Sequence, residues 1–386
     1  MDKKTYKLKD FAEPIAIAVT DPQKSCHNIF VGLEHYDSGE PVISRFSDTS
    51  LLNSSCKEFQ KNDILIARRN VYLRRAGIAP FDGLTSGDSI VLRLFEDCEE
   101  RTGISYDVAI KVIPFVLNSN SFWLYANRHA DGMNSKRISK EKVLDYEFDL
   151  PSLAEQKVLA EKLWAAYEVK QSYLKMIAAT EEMLKAQFIE MIGSKEWPQV
   201  QLKDIVHEDC PISYGIVQPG DDIENGVPIV RPIDMTDSHI IDKNALKRTT
   251  RQISDSYSRT ILRGDEILVC VRGTTGLIAL ADGLKDCNVT RGITPLYFKP
   301  EYNRDYIYRA FLGEKIQKYI QDNTIGSTLK GINMSKLREL PICMPTKDIQ
   351  EQYVLIANQA DKSISELRKS VDAIDKVIKS LINENL

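Results

Sequence analysis

The stretch of sequence that decides the fold occurs twice, as RISKEKVLDYEFDLPSLAEQ (Arg137 to Gln156) and as NMSKLRELPICMPTKDIQEQ (Asn333 to Gln352). Each copy contains a proline, then a short polar segment, and then Glu-Gln at the start of a long helical pattern. Because repeated sequences fold alike, the two copies predict that the chain has two similar halves.

Three further matches precede these two stretches, in the same order and at a nearly constant offset. They pair Leu8-Lys9-Asp10 with Leu202-Lys203-Asp204, EFQKNDILIARRN (58–70) with ILRGDEILVCVRG (261–273), and AGIAPFDGLTSGDSIVLR (76–93) with TGLIALADGLKDCNVTRGITPLYF (275–298). Four ordered matches are not expected by chance, so we interpret the chain as an internal duplication of one unit.

Each half is predicted to be a globular part followed by a long helix. The globular parts contain apolar runs such as ILIA, SIVLRL, ILVCV and PLYF, which Gly, Pro, Asn and Asp interrupt, a pattern typical of β-strands joined by turns. The predicted fold class is α+β, with two similar mixed α/β domains separated by two long helices. The predicted boundaries are 1–150 for the first globular domain, 151–193 for the first helix, 194–345 for the second domain and 346–386 for the second helix.

A stripe of apolar residues three and four positions apart runs along each predicted helix. The side chains expected to pack between the helices are Leu163, Tyr167, Leu174, Ile177, Leu184, Ile356, Leu367, Val371, Ile374 and Ile378. A helix of about 40 residues is roughly 60 Å long, longer than a small domain. Burial of the two stripes against each other predicts an antiparallel, coiled-coil-like rod. The alternative is that the helices are separate extensions that dimerise with other chains.

The composition, 43% hydrophobic and 27% charged, is typical of a folded globular chain. The apolar runs are far shorter than the roughly 20 residues of a membrane helix, and the N-terminal sequence has no secretion signal, so we expect a cytoplasmic protein without membrane association. The seven cysteines and five histidines are scattered, which predicts reduced thiols and no metal site.

Familiar catalytic motifs are absent from the sequence. It has no GxxxxGK[ST] phosphate loop, no HExxH, no CxxC, no GxSxG elbow and no GxGxxG after a strand. The Asp/Asn-Pro-Pro-aromatic motif of amino-methyltransferases is also missing. The sequence therefore predicts a protein that is not an enzyme.

Two groups of basic residues are the candidate binding residues. The net charge is −4, so any affinity for DNA must come from local contacts or from partner chains. Arginine side chains at strand ends can contact phosphates or guanine edges, and glycine beside them allows close approach of a phosphate. The candidates are Arg68, Arg69, Tyr72, Arg74 and Arg75 in the first half and Arg231, Arg248, Arg251, Arg272, Thr274, Arg291 and Lys330 in the second. The alternative for any single one is a solvated surface charge.

With these features the chain resembles the specificity subunit of type I restriction-modification systems, over nearly its whole length. The resemblance is carried by VGLEHYDSGEPVI (31–43), KNDILIARRNVYLRRAGIAPFDGLTSGD (61–88), YGIVQPGDDIENGVPIVRPIDM (214–235), GDEILVCVRGTTG (264–276), GSTLKGINMSKLRELPICMP (326–345) and the two helices that open with Glu-Gln after a proline. The first half departs from the pattern, because it has AIAVTDPQ (16–23) and no segment like YGIVQPG.

The resemblance implies two target-recognition domains that each read one half of a bipartite sequence in double-stranded DNA, with the helices as a ruler between them. It also implies two methyltransferase subunits that carry the adenine-N6 chemistry and motor-nuclease subunits that cleave. S-adenosylmethionine, ATP and Mg are then expected in those partners and no cofactor in this chain. Two alternatives remain: a recognition subunit whose partner fuses methyltransferase and nuclease, and a coiled-coil scaffold protein.

Overall fold

The computed structural model describes residues 3–133, 135–193, 195–236, 241–326 and 330–386. It divides into two compact units, one of Met1–Met176 with Leu367–Leu386 and the other of Ile177–Glu366. We call them unit 1 and unit 2. Ser194, at which the second predicted domain begins, lies outside the described residues.

In the part of the chain that the structure describes, unit 1 combines three sheets with four short α-helices and parts of two long ones. Its strands are β1 Lys4–Lys7, β2 Ala12–Ile15, β3 Ala18–Val19, β4 Ile29–Val31, β5 Ser47–Asp48, β6 Cys56–Phe59, β7 Ile64–Ala67, β8 Ala76–Ile78, β9 Gly83–Thr85, β10 Ser89–Leu94 and β11 Glu147–Leu150. Its short helices are α1 Cys98–Thr102, α2 Tyr106–Val116, α3 Asn120–His129 and α4 Lys140–Leu144. The strand orders are β2-β10-β7-β8, β3-β6-β9-β4-β5 and β1-β11.

The helix α5, Leu153–Phe188, follows β11 and extends from unit 1 into unit 2. The other elements of unit 2 are β12 Gln199–Gln201, α6 Leu202–Ile205, β13 Val227–Val230, β14 Arg248–Thr249, α7 Arg251–Ser256, β15 Ile267–Cys270, β16 Ile278–Leu280, β17 Asn288–Val289, β18 Ile293–Leu296, α8 Arg304–Leu312, α9 Glu314–Asp322, β19 Thr324–Ile325, β20 Gly331–Ile332, α10 Met334–Arg338 and β21 Pro341–Cys343. Its strand orders are β14-β13-β17, β16-β15-β18, β12-β21 and β19-β20. The last helix, α11, is Lys347–Asn385.

The central strands are the continuous apolar runs of the sequence. All four side chains of β7, and all four of β15, are buried, as expected for strands covered on both faces. Strand β7 pairs with β10 and β8, and β15 pairs with β18 and β16, in each case antiparallel. The fold is therefore a mixed α/β one, as predicted, and the same three-strand arrangement forms the centre of both units.

Equivalent hydrogen bonds, like equivalent strands, are found inside each of the two units. The Leu8 N–H donates to the Tyr146 carbonyl in unit 1, and the Leu202 N–H donates to the Leu340 carbonyl in unit 2. At the start of each long helix a buried glutamine donates to a proline carbonyl at 2.8 Å, Gln156 to Pro151 in one case and Gln350 to Pro345 in the other. The duplication seen in the sequence is therefore a duplication of structure.

The two long helices are antiparallel within unit 1. Leu163 of α5 belongs to the same buried cluster as Ile382 of α11. Seven residues later on α5, the Lys170 ammonium lies 2.7 Å from the carboxylate of Asp375, which is seven residues earlier on α11. In unit 2, the ring of Phe188 on α5 packs edge-on against that of Tyr353 on α11, with centroids 5.2 Å apart.

Most of the predicted interhelical side chains are at least half-buried. Leu163, Tyr167 and Ile177 are buried, and the half-buried ones are Leu184, Ile356, Leu367, Val371, Ile374 and Ile378. Leu174 is the exception, since it is 40% exposed. In a pair of helices, each helix is covered by its partner on one face only. A large side chain at the edge of that face therefore keeps part of its surface in solvent.

Candidate nucleic-acid interface

The first candidate group lies in the turn between β7 and β8 of unit 1. Asn70 and Arg74 bracket a short 3-10 turn, Val71–Leu73, and both have left-handed backbone conformations, with φ of 56° and 52°. This sharp reversal projects Tyr72 into solvent, where 60% of its surface is exposed. An exposed aromatic ring beside several arginines suits contact with nucleic acid, because a base can stack on it.

Arg69 precedes this turn and faces a small polar group. Its Nε donates to the Ser135 hydroxyl at 2.8 Å, and its guanidinium lies 3.9 Å from the Asp88 carboxylate. Asp88 also pairs with Arg137 at 3.2 Å. Two arginines thus share one carboxylate at this exposed surface, which leaves it with excess positive charge.

Two of the other candidates make contacts inside the protein. The Arg75 guanidinium donates to the carbonyls of Leu33, at 2.7 Å, and of Arg69, at 3.1 Å, and its partial burial lowers the pKa of Arg75. Arg75 therefore holds the turn together, and its use as a DNA contact is not supported by its position. Arg74 donates to the Asn120 side-chain oxygen at 2.8 Å but remains exposed.

Unit 2 has an equivalent turn after β15, and it brings four predicted residues together. The Arg272 guanidinium lies over the Tyr214 ring, 5.2 Å from its centroid. Gly273, with φ of 85°, donates its N–H to the Lys330 carbonyl at 3.0 Å, and Thr274 follows it on the exposed side. The Gly292 carbonyl accepts the N–H of Val271 at 2.8 Å, which places exposed Arg291 beside the same turn.

The remaining candidates in unit 2 lie in different surroundings. The Arg231 guanidinium makes a two-pronged contact with Asp234, at 3.0 and 2.8 Å, and this carboxylate raises the pKa of Arg231. Arg248 donates to the Gly226 carbonyl at 3.3 Å, and Arg251 is exposed at the first turn of α7. Arg231 is therefore neutralised locally, whereas Arg251 is available to an external ligand.

The repeat identifies two residues that sequence reasoning missed. The Asn70 N–H donates to the Lys136 carbonyl at 2.7 Å, just as Gly273 donates to Lys330. Backbone bridges likewise join Arg69 to Arg137 and Arg272 to Gly331. Lys136 is thus the equivalent of Lys330, and Arg137 lies next to it. The signal was present, because Arg137 opens the repeated stretch Arg137 to Gln156 and Lys136 immediately precedes it.

The cysteines are free thiols, and Cys210 and Cys270 are among those buried in unit 2. All seven cysteines are unpaired, and burial raises the pKa of both Cys210 and Cys270 to about 11, which makes their thiols poor nucleophiles. Among the described residues, no three His, Cys, Asp or Glu side chains cluster closely enough to hold a metal ion. None of the described helices combines the length and the apolar character needed to cross a membrane.

Residues 194–374 match the family model for the type I restriction modification DNA specificity domain. This part of the chain, 181 of its 386 residues, is therefore similar to the DNA specificity domain of these systems. A curated relative, the type I restriction enzyme EcoBI specificity subunit of Escherichia coli, is 25% identical over 289 residues, a match that covers 66% of this chain and 58% of that protein. This chain thus spans little more than half of that relative's length.

Two solved structures share the fold of the specificity subunit along the whole chain. The type I restriction-modification S subunit from M. genitalium aligns with a TM-score of 0.56 at 12% identity, covering 100% of this chain and 96% of that one. A chain from structural work on complex assembly and conformational transition of a type I R-M system aligns with a TM-score of 0.55 at 17% identity, covering 100% and 98%.

Proposed function

We propose that this chain is a DNA-specificity subunit that recognises a bipartite DNA sequence, with unit 1 reading one half and unit 2 the other. The observation that carries the proposal is the repeated turn. In each unit an arginine, Arg69 or Arg272, lies two residues after a central strand, and the N–H of the following left-handed residue donates to a lysine carbonyl. Arginine at such a turn can form the two-pronged contact with guanine that is the commonest specific contact in the major groove.

The proposed contacts are exposed candidates together with Arg272, whose guanidinium is half-buried over the Tyr214 ring. In unit 1 they are Arg69, Tyr72 and Arg74, with Lys136 and Arg137 added, and in unit 2 they are Arg251, Arg272, Thr274, Arg291 and Lys330. Tyr214 supports Arg272 from below, since a cation above an aromatic ring is attracted to it. The first half has no YGIVQPG-like segment, and Ser135 contacts Arg69 instead. The two arginines thus have different surroundings, which is consistent with different half-sites.

The long helices are proposed to set the distance between half-sites and to offer docking surface to partner chains. At 36 residues α5 is about 54 Å long, and α11 has 39 residues. Half-sites on one face of DNA recur at about 34 to 36 Å per helical turn, so a spacer of this order is required. Both helices carry exposed apolar side chains, among them Val158, Met176, Leu355 and Val377, which a partner could cover.

Catalysis is proposed to belong to the partners. Two methyltransferase subunits would supply S-adenosylmethionine chemistry and flip the target adenine out of the duplex for N6 methylation, and motor-nuclease subunits would use ATP and Mg for cleavage. Support comes from the sequence, which lacks the motif of amino-methyltransferases. The near-balanced charge also supports a subunit that relies on partners for phosphate contacts.

Mapping of N6-methyladenine tests the proposal. The chain is expressed with its methyltransferase partner in cells that lack other adenine methylation, and omission of this chain is the control. We expect methylation confined to one bipartite motif, and a purified complex that contains two methyltransferase chains. A stable homodimer of this chain that ignores DNA sequence would contradict the proposal and would favour a scaffold protein.

A further inference from the structure

A second basic site lies in unit 1, at the edge where β2 and β10 pair. It is a pocket of about 190 Å³ that Lys57, Arg68 and Lys140 line together. Its other lining residues are Pro14, Ile15, Ala16, Ile90 and Val91. Arg68 follows β7 directly, but its side chain faces this pocket and not the turn where Arg69 contacts Ser135.

The cations of the pocket are only partly satisfied by the protein. The Lys57 ammonium donates to the carbonyls of Gly87, at 3.0 Å, and of Ser89, at 2.7 Å, and keeps a third N–H. The Arg68 Nε is buried and has no hydrogen-bond acceptor. Since a buried donor without a hydrogen-bond partner is destabilising, an external acceptor at this point would be stabilising.

The charges around the pocket favour an anion. Burial lowers the pKa of Lys57, the positive charges of Arg68 and Lys140 lower it further, and Asp88 opposes them. Glu141 is a further carboxylate within electrostatic range of Arg68 and Lys140. Asp88 already pairs with Arg137, so the three cations of the pocket outnumber the negative charge available to them.

Comparison with unit 2 shows that the fold does not require these cations. The strand pairings make Ile90 equivalent to Thr294, and the chain order makes Arg68 equivalent to Val271 and Lys140 to Met334. In unit 2, Val271 and Met334 are buried, and the Met334 sulfur lies 3.8 Å from the Thr294 hydroxyl. The site that is an open basic pocket in unit 1 is therefore closed and uncharged in unit 2.

We propose that this pocket of unit 1 binds a phosphate group. Several N–H donors from three cationic side chains converge on a space of suitable size, and a phosphate offers several acceptor oxygens together with its negative charge. The group has two possible sources, the backbone of bound DNA and free inorganic phosphate. The DNA source rests on the proposed function, whereas binding of free phosphate does not.

Variants that copy unit 2 test the proposal in the full-length chain. Arg68→Val and Lys140→Met introduce the residues of the closed site, so both are compatible with the fold. Lys142→Met is the matched control, because it removes the same charge from an exposed position two residues along α4. Melting of each variant in chloride buffer checks that it is folded. If Arg68→Val proves to be unfolded, the test rests on Lys140→Met alone, which should fold because Lys140 is exposed.

The first measurement is the salt dependence of DNA binding by the complex with its methyltransferase partner. If the pocket holds a backbone phosphate, the slope of log K against log salt becomes shallower by about 1 in Lys140→Met and stays unchanged in Lys142→Met. The second is melting of the full-length chain in inorganic phosphate against chloride of equal ionic strength. If the pocket holds free phosphate, the wild type and Lys142→Met gain more stability in phosphate than Lys140→Met does.

A change in the DNA slope assigns the pocket to the DNA backbone, and a change in the phosphate melting alone assigns it to free phosphate. Equal behaviour of Lys140→Met and Lys142→Met in both measurements would overturn the proposal while leaving sequence recognition intact. If the wild-type complex shows no sequence-specific DNA binding, the proposed function fails, and the melting experiment still decides whether the pocket binds phosphate.

Discussion

At the scale of single residues, the turns that follow β7 and β15 use the same backbone geometry with different amino acids. Asn70 and Gly273 are equivalent, and both have left-handed φ values, 56° and 85°. Asparagine tolerates this region better than most residues, and glycine adopts it without a steric penalty. The sequence contained both residues at matching positions, but only the structure shows that each one reverses the chain beside a candidate arginine.

Replacement of Gly273 and of Asn70 should therefore affect stability to different extents. Gly273→Ala should lower the free energy of unfolding by about 1 kcal/mol, because alanine at positive φ is strained although its Cβ would meet no atom within 4 Å. Asn70→Gly should be close to neutral. Denaturant unfolding of the full-length chain measures both, and equal destabilisation by the two changes would contradict the equivalence of the turns.

Arg75 is predicted to be a structural residue. Arg75→Ala should lower the free energy of unfolding by about 1 to 3 kcal/mol, since it removes hydrogen bonds to the carbonyls of Leu33 and Arg69. Exposed Arg128→Ala is the control and should change stability by less than about 0.5 kcal/mol. Salt-dependence of DNA binding should be unaffected by Arg75→Ala, and a slope change as large as that for Arg69→Ala would show that Arg75 contacts phosphate after all.

At the scale of elements, the long helices were the most predictable feature. Pro151 and Ser152 indicated a helix start, and α5 begins at Leu153. The predicted stripe has a gap between Tyr167 and Leu174, and Lys170 occupies it. This lysine is only 8% exposed, and its ammonium contacts Glu40 and Asp375. Sequence spacing could not reveal the contact, because Glu40 lies 130 residues away on a loop.

Lys170→Met should destabilise unit 1 by about 3 kcal/mol, because it leaves two carboxylates without their cation. The value is at the lower end of the range for buried pairs, since the side chains of Glu40 and Asp375 are partly exposed. Lys175→Met, at an exposed position on the same helix, is the control and should be nearly neutral. Denaturant unfolding at pH 7 measures both.

The same pair of variants also makes a prediction about pH. Burial lowers the pKa of Lys170, but hydrogen bonds to Asp375 and Glu40 outweigh burial, so the pKa is raised. A raised pKa means that the stabilisation is complete below the unfolded value of about 10.4 and is lost as pH rises through the folded value. The stability difference between the wild type and Lys170→Met should stay constant from about pH 6 to 9. A difference that shrinks within that range would show that Lys170 is not held as a cation.

The helices inside the globular parts were harder to foresee than the strands. The run ILIA predicted β7 and the run ILVC predicted β15, because four consecutive buried residues suit a central strand. By contrast α2, α3, α8 and α9 are 9 to 11 residues long and mix aromatic, polar and aliphatic residues. Over such short lengths the pattern of apolar residues does not distinguish a helix from a strand, and packing against the central strands determines which one forms.

At the scale of the whole molecule, duplication explains both what was predictable and what was not. The repeat predicted two related globular parts, and the structure gives both the same turns, helix starts and central strands. It did not predict where they differ, because a difference such as Arg68 against Val271 changes chemistry without changing the fold. The sequence grouped basic residues only by their proximity along the chain. In the structure, Arg75 and Arg231 make internal contacts. Arg69 and Arg272 lie at equivalent positions in the two units.

The central claim is that Arg69 and Arg272 read different halves of one target. The most direct measurement is methylation mapping with the methyltransferase partner for Arg69→Ala and Arg272→Ala, beside the controls Arg128→Ala and Lys318→Ala. Each arginine change should relax the sequence at one half of the motif, with a loss of about 1 to 3 kcal/mol there, and the two should affect opposite halves. Relaxation of the same half by both, or an unchanged motif with uniformly weaker methylation, would contradict the claim.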